Sequence, residues 1–559
     1  MASPLSEKGN NSGEGLPYDS TASYRNGSAY ISSAEDDRCH FDAQSVDRVQ
    51  RRLKQRHVQM IAIAGTIGTG LFLGSGKALE RAGPLGALLA YILIGSVAYS
   101  SLCSVGEMTC FAPISGTFPH YAARWVDPAF GFAVGWNYLY QQVITVPAEI
   151  TAAAILISFW DDSTARRPMY IALILIFMCM INLFGVRYFG ESEFVFSIIK
   201  LCLITGLILF GLIIDLGGGP DHDRIGFRYW RNPGAMNTYL VYDNVGVGRF
   251  LGFLGVLVQA AFSYQGMELV AIAASETESP RRNISKAVRR VFYRIFIFYI
   301  LGILITGMLI PYNDPNLLDD NNNSKSTVAQ SPYVIAMRRA GVSGLPHLVN
   351  ACVFTSAFSS GNSYLFTSSR ILYGLALRKQ APGMFARCTH NGLPLRAVLA
   401  CSLFTLLAFL NVSNGSATVF KWLGNLTAIG GFFTWMAINL TYLRFYAGLK
   451  RQNIDRTKFV YYSSLQPWLS IWGFFWTSFC ILINGFAVFW HLNASDFVTA
   501  YLNIPIFFGL YFGYKFWKKT EVWRTEDMDF VRGIPTIDET EVDYVPPETF
   551  WEKVFEKLF

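Results

Sequence analysis

Residues 59–76 read QMIAIAGTIGTGLFLGSG, an apolar stretch without charge in which glycine recurs at positions 65, 68 and 70. Its length and composition are those of a membrane-spanning helix. Glycine is a poor helix former and leaves peptide groups uncovered, and lipid offers those groups no hydrogen-bond partner. Such a break is tolerated only where it lines a cavity. The stretch therefore predicts a spanning helix that is broken near mid-membrane, as at the solute sites of secondary transporters.

The composition of the chain also indicates a membrane protein. Of 559 residues, 52% are hydrophobic and only 15% are charged, which is too apolar for a soluble protein of this length. The nine cysteines form no CxxC pair and have no metal-type spacing to histidine. No grouping of a nucleophile with a base suggests an enzyme. We expect no catalytic residues, no metal and no cofactor.

Twelve stretches are long and apolar enough to cross a bilayer. They predict an all-α integral membrane protein with about 12 transmembrane helices. The stretches are residues 57–80, 86–111, 129–158, 168–186, 191–215, 249–275, 288–311, 345–374, 396–411, 417–443, 468–491 and 496–516.

Lysine and arginine cluster before the first stretch and after the even-numbered ones from the sixth onward. With twelve spans, these clusters all lie on one side, which the positive-inside rule assigns to the cytoplasm together with both termini. The net charge of +7 is thus explained by topology, and no nucleic-acid partner is expected. Sequons at Asn322 and Asn493 fall in predicted outside loops and are candidate glycosylation sites.

The sixth span carries a second break, in the sequence FSYQGME of residues 262–268. Gly266 and the acidic Glu268 lie there within an apolar run. Spans one and six are the first members of two five-helix halves, and paired breaks of this kind indicate a binding site at the bilayer midplane. The alternative is that Gly65, Gly68 and Gly70 only allow close packing of helices. The two breaks together favour the binding site.

The chemistry of such breaks suggests a ligand. Free N–H groups at positions 65–70 start a half-helix whose positive dipole end favours a carboxylate. Uncovered carbonyls at both breaks suit a cation such as an ammonium. A carboxylate site and an ammonium site close together match a zwitterionic α-amino acid. They do not determine the side chain of that amino acid.

Several longer motifs resemble the fungal amino-acid permeases of the amino acid–polyamine–organocation superfamily. The similarity covers roughly residues 50–520 and also includes the tenth span. The motifs are QMIAIAGTIGTGLFLGSGKAL at 59–79, EMTCFAPISGTF at 107–118, FSYQGMELVAIAASE at 262–276 and SSGNSYLFTSSRILYGLALRKQAPGMF at 359–385.

The resemblance implies a LeuT-like fold and proton-coupled amino-acid uptake at the plasma membrane. Two inverted five-helix repeats, 57–215 and 249–443, would form a transport core within 53–445, and 468–516 would supply two accessory helices. An N-terminal tail, 1–52, and a C-terminal tail, 517–559, would lie in the cytoplasm.

The candidate substrate-binding residues lie at the two breaks, with one glutamate added from the third span. They are Ala64, Gly65, Thr66, Gly68, Thr69, Gly70, Ser263, Tyr264, Gly266, Glu268 and Glu149. Tyr264 is a candidate lid over the ligand. By family analogy alone, Phe358, Asn362, Trp422 and Asn425 would also face the site.

Lys200 lies deep in the fifth span, where charge is costly and usually functional. The resemblance places this lysine against span one, where sodium-coupled relatives hold their ion, so its protonation cycle would couple proton entry to transport. A buried ammonium can titrate because burial disfavours its charge. The alternative is a static ammonium that binds carbonyls of spans one and five. For Glu107 we expect a structural role, in which it pairs with Arg124 or with the 281–290 cluster.

The tails suggest contacts with trafficking and ubiquitin-ligase adaptors. Lys8 is the only lysine before Lys54, which makes it a candidate ubiquitin acceptor by family analogy. The C-terminal tail is acidic and rich in proline, as in a regulatory segment. Unlike many fungal relatives, the chain ends in Lys-Leu-Phe without cysteine.

Other functions remain open at this point. The same fold occurs in non-transporting amino-acid sensors, and related transporters carry GABA, choline or polyamines. A channel would need a pore-lining ring and no occluded site, which two broken helices disfavour.

Overall fold

A computed structural model describes Met60 and residues 67–114, 116–161, 163–219, 222–275, 279–318, 331–342, 344–389, 392–414, 416–490, 492–537 and 541. Within these residues the fold is all-helical and contains no strand. Shorter helices lie between the elements numbered below. The numbered helices are α1 (Thr69–Phe72), α2 (Gly74–Phe111), α3 (Thr117–Trp125), α4 (Pro128–Ile157), α5 (Arg167–Leu183), α6 (Val186–Asp215), α7 (Val245–Tyr264), α8 (Leu269–Ser275), α9 (Pro280–Arg294), α10 (Leu301–Leu309), α11 (Leu345–Leu377), α12 (Leu395–Phe404), α13 (Ser416–Arg451), α14 (Trp468–Ile483), α15 (Ala494–Tyr501) and α16 (Asn503–Lys518).

The described part of the chain has seven helices long and apolar enough to cross a membrane, or eight if α15 and α16 count as one bent span. α15 and α16 meet at an angle of 41°. α5 and the segment 395–410 are apolar but shorter. α11 is long, but its many serines lower its apolar character. Every predicted stretch from 86–111 onward contains helix in the structure.

Two helices predicted as separate spans join end to end in α2. Gly83 has φ +72°, a left-handed value that glycine adopts readily. Pro84 then starts the second segment, where its missing N–H costs nothing. A Cβ at position 83 would lie 2.8 Å from the backbone nitrogen of Asn237. The glycine therefore permits both the turn and the close approach of a loop.

The core is built around α4, which is buried over most of its length. It packs between α11 and α13, while α7 packs against α2. Small residues line the faces of α4, including Ala129, Ala133, Ala152 and Ala153, which are fully buried. Small side chains let helix backbones approach closely in the absence of a hydrophobic driving force. This packing brings the breaks near residues 68 and 266 to the middle of the bundle.

Residues 521–537, which we call the C-terminal strap, cover the ends of α3, α9 and α13. Trp523 donates from its backbone to the carbonyl of Val126 at 2.9 Å, and Arg124 of α3 forms an ion pair with Asp529 at 3.1 Å. Phe530, 6% exposed, stacks on Trp125 with ring centroids 5.8 Å apart. On α9, Arg281 donates to the carbonyl of Pro535 at 2.6 Å. This part of the predicted tail is packed structure.

The prediction that Arg124 or the 281–290 cluster pairs with Glu107 was wrong. Its carboxylate accepts from Arg456 at 3.0 Å and from the Tyr442 hydroxyl at 2.8 Å. Arg124 and Arg281 bind the strap instead. The arginine that pairs with Glu107 follows the tenth predicted span, on the same face of the molecule, so the structural role of Glu107 fits its contacts.

Truncation after residue 520 should destabilise the folded protein, because it uncovers Trp125 and removes two carbonyl partners of Arg281, those of Pro535 and Thr536. Loss of a buried large aromatic side chain costs about 3–5 kcal/mol, so we expect a clear fall in melting temperature in detergent. Truncation after residue 541 is the matched control, because it keeps the strap. Equal melting temperatures for both truncations would show that the strap adds no stability.

Candidate functional site

Ile67 and Gly68 lie directly before α1, are non-helical, and belong to the predicted break of the first span, so we call them the first break. Gly68 is extended, with φ −122° and ψ −161°, so its peptide groups are outside the helical pattern. The Ile67 carbonyl accepts a hydrogen bond from the Ser356 hydroxyl of α11 at 2.9 Å. Leu73 keeps helical angles between α1 and α2. The chain therefore runs as helix from Thr69 to Ala82, with its amino end at mid-bundle.

Gly68 lies where two polar side chains converge. A Cβ at this position would lie 2.9 Å from Oγ of Ser360 and 3.0 Å from Oε1 of Glu149. Thr69 donates to Oε2 of the same glutamate at 3.0 Å. The Glu149 side chain comes from α4 and is almost fully buried. The first break is thus lined by a carboxyl and a hydroxyl in direct contact with the glycine.

The second break separates α7 from α8 at residues 265–268. Gly266 has φ +84°, which favours glycine. The backbone carbonyl of Gln265 lies 3.4 Å from the Tyr364 hydroxyl. The side-chain amide of Gln265 donates to the Thr427 carbonyl at 3.0 Å. These contacts tie the turn to α11 and α13, so the irregular backbone is held by side chains of neighbouring helices.

The helix ends beside the two breaks lie against each other. A Cβ at Gly70 would lie 2.8 Å from the Cα of Ser263, so α1 and the end of α7 are in backbone contact. Ser263 shares a hydrogen bond with the Tyr91 hydroxyl at 3.1 Å. Segments almost 200 residues apart in sequence are thus neighbours in the structure.

Glu268 and Tyr264 flank the second break. Oε2 of Glu268 accepts from the Trp435 indole at 3.2 Å, and Oε1 has no hydrogen-bond partner among the described residues. The Tyr264 hydroxyl donates to the Tyr91 carbonyl at 3.0 Å, and its ring stacks on Tyr299. In this conformation Tyr264 is a packed residue of the core.

Lys200 is fully buried in α6 and lies beside the first break. Its Nζ lies 3.4 Å from Oγ of Ser360 and 3.7 Å from Oε1 of Glu193. Ser360 also contacts Gly68, so one hydroxyl connects the lysine with the first break. Sequence reasoning missed Glu193. Its spacing of seven residues from Lys200, two helical turns on the same face, is the signal that could have found it.

The remaining predicted residues either fall outside the described part of the chain or have the contacts given next. Ala64, Gly65 and Thr66, together with Lys8 and Asn322, fall outside the described residues. Asn493 is exposed and caps α15 by accepting from the backbone of Ser495. Asn362 binds Asn182 of α5 at 2.7 Å, and Phe358 packs against Phe196 of α6. Trp422 and Asn425 are half-buried on α13.

Comparison with known proteins places these features in a family. A family model described as amino acid permease matches residues 57–526. A dicarboxylic amino acid permease of Saccharomyces cerevisiae is 41% identical over 86% of this chain and 79% of its own length. A proline-specific permease of Emericella nidulans is 42% identical over 88% and 89% of the two chains. A basic amino-acid permease of Saccharomyces cerevisiae is 38% identical over 91% and 88%.

Solved structures support the fold. A mutant of the Eremococcus coleocola manganese transporter matches with a TM-score of 0.53 and 12% sequence identity, over 83% of this chain and 93% of that chain. A complex of the same transporter with an aromatic bis-isothiourea compound matches with a TM-score of 0.52 at 14% identity, with the same coverage. At such identity the likeness concerns only the fold, that of LeuT-type transporters.

Proposed function

This chain belongs to the amino acid permease family, and on that premise we propose that it is a proton-coupled symporter that imports α-amino acids by alternating access. The observation that carries the proposal is the contact of α1 with the end of α7, which brings together two non-helical segments, each with a buried carboxyl beside it. Peptide groups in such breaks can bind a ligand, since a carbonyl that already accepts one hydrogen bond keeps a second lone pair.

The proposed site has complementary ends. The backbone N–H groups at Gly68–Gly70 start the helical run toward Ala82 and would bind the substrate carboxylate. Glu268, with one oxygen without a protein hydrogen bond, and the carbonyls of 265–268 would bind the substrate ammonium. Ala64, Gly65, Thr66, Ser263, Tyr264 and Gly266 complete the proposed binding set, with Glu149 behind Gly68.

The resemblance and the charge distribution extend the proposal to the whole chain. We propose about twelve spans with the first and sixth broken, two inverted repeats of five helices, and two accessory helices. Both termini would lie in the cytoplasm and the protein in the plasma membrane. Adaptors would bind the tails, Lys8 would accept ubiquitin, and Asn322 and Asn493 would be glycosylated. Nothing in this scheme requires catalysis.

The side chain of the substrate is left open. The relatives described above are named as permeases for dicarboxylic amino acids, for proline and for basic amino acids. Membership of the family therefore does not determine the side chain of the substrate. An apolar pocket also discriminates weakly between side chains that differ by a methylene. The proposal is therefore confined to the α-amino acid head group.

Reconstitution into proteoliposomes would test the function. With an imposed inward proton gradient, we expect accumulation of at least one proteinogenic amino acid and its collapse on addition of a protonophore. GABA, choline and a polyamine serve as comparison substrates. If only those amines accumulate, the substrate is a related amine and not an α-amino acid. Binding without counterflow would indicate a sensor. Uptake that depends on sodium would contradict coupling to protons.

A further inference from the structure

Glu193 and Lys200 form a buried acid–base pair on one face of α6. Both side chains are inaccessible to solvent, and no other part of the proposed binding site uses Glu193. A buried carboxylate is costly unless it is paired. The pair therefore needs a reason beyond packing.

The geometry points to Glu193 as the proton acceptor of Lys200, on the cytoplasmic side of the coupling site. This inference rests on the proposed function, because it assumes that a proton moves inward with the substrate. It adds a residue to that function and gives the proton a direction.

The contacts of Glu193 hold it in a position to receive a proton. Oε2 accepts from the Ser359 hydroxyl of α11 at 2.8 Å, which fixes the carboxyl group. Oε1 accepts no hydrogen bond from the described residues and faces Nζ of Lys200 at 3.7 Å. A closed ion pair would show about 2.7–2.9 Å. At 3.7 Å the two groups are in electrostatic contact but beyond direct hydrogen-bond distance, so transfer of the proton requires a closer approach of the two side chains or one bridging water.

Charged groups on neighbouring helices act on the lysine from other sides. Glu149 of α4 attracts the ammonium, and Arg294 of α9 repels it. Glu149 also contacts Gly68 and Thr69 at the first break. The lysine thus lies between one carboxyl at the substrate site and another, Glu193, away from it.

The order along α6 gives the direction. Glu193 precedes Lys200 by seven residues, or about 10 Å of helix rise. With cytoplasmic termini, the fifth span starts on the cytoplasmic side, so Glu193 lies nearer the cytoplasm. Glu149 lies on the side of the substrate.

The proposed step balances as one proton transfer. The Lys200 ammonium gives a proton to the Glu193 carboxylate, which leaves a neutral amine and a neutral carboxyl group. Glu193 then releases this proton to cytoplasmic water. The amine takes up the next proton through Glu149 from the external side. Each cycle moves one proton inward and restores both groups.

The test is Glu193→Gln in proteoliposomes. Glutamine keeps the shape and still accepts from Ser359, but it cannot take the proton. We expect accumulation driven by a proton gradient to fall about tenfold or more, because proton movement no longer drives the movement of the substrate. Counterflow without a gradient should fall much less, and the dependence of net uptake on pH should flatten. Glu191→Gln, two residues earlier on α6, is the matched control.

The outcomes separate the possible roles. Normal accumulation by Glu193→Gln would overturn the inference. An equal loss of counterflow and accumulation at normal surface expression would also overturn it and assign Glu193 a structural role. If the parent protein itself shows no accumulation driven by protons, the proposed function fails and the inference with it. The parent protein alone gives that result, so it can be distinguished from a failure of the inference about Glu193.

Discussion

Replacing Gly68 by leucine should abolish uptake of every substrate. Its Cβ alone would lie 2.9 Å from Oγ of Ser360 and 3.0 Å from Oε1 of Glu149. The remaining carbons would fill the space where the substrate carboxylate is proposed to bind. Overpacking of this kind destabilises the folded segment by about 1–3 kcal/mol. Because the leucine also excludes the carboxylate from the backbone N–H groups, we expect uptake to fall below detection. Gly68→Ala should show a smaller loss, because the hydroxyl of Ser360 can rotate away.

The matched control is Gly206→Leu. Gly206 lies on the exposed face of α6, and a Cβ there would meet nothing within 4 Å. Both variants add the same side chain to an apolar segment, so membrane insertion should be equal. Radiolabelled uptake, normalised to surface expression, gives the comparison. Normal uptake by Gly68→Leu would remove the proposed carboxylate site from the first break.

Replacing Lys200 by alanine should abolish accumulation against a gradient while some substrate binding remains. The lysine contacts Ser360 and Glu193 but does not line the second break, so the substrate contacts at residues 263–268 stay in place. Without the ammonium, proton movement is no longer tied to the state of the site. A charge crossing the membrane supplies about 2.3 kcal/mol per 100 mV, which is enough for accumulation of about fiftyfold. The variant should only equilibrate its substrate.

The pH dependence provides the second readout. Uptake by the parent should rise as external pH falls, because protons then drive inward movement, whereas Lys200→Ala should respond little. Lys421→Ala is the control, since Lys421 forms a half-exposed pair with Asp496 at 2.8 Å. Accumulation by Lys200→Ala equal to the parent would assign the lysine a purely structural role.

Local sequence features predicted most of the helical framework. Apolar runs predicted helices wherever the structure describes them, because hydrophobic length is a property of the segment itself. Gly266 also marked the turn before α8, since a left-handed φ favours glycine. Glu149 and Lys200 stood out because charge inside an apolar span is rare. These inferences needed no knowledge of tertiary contacts.

Partners distant in sequence could not be predicted. Glu107 and Arg456 are 349 residues apart, and Arg281 and Pro535 are 254 apart. Nothing in either segment indicates which helix ends become neighbours, because the packing of many helices decides it. Glu193 escaped notice for another reason. It lies near the end of a span, where a carboxylate commonly reaches water, and only the fold shows that it is buried.

The C-terminal strap has a consequence for biosynthesis. Its residues are translated after every numbered helix, so Trp125 and Phe445 stay uncovered until the ribosome has passed residue 530. An aromatic surface left open during synthesis attracts chaperones and invites aggregation. Chains that stop early would keep that surface exposed, whereas complete chains cover it themselves. Packing of Phe530 on this surface thus separates chains that contain the strap from chains that lack it.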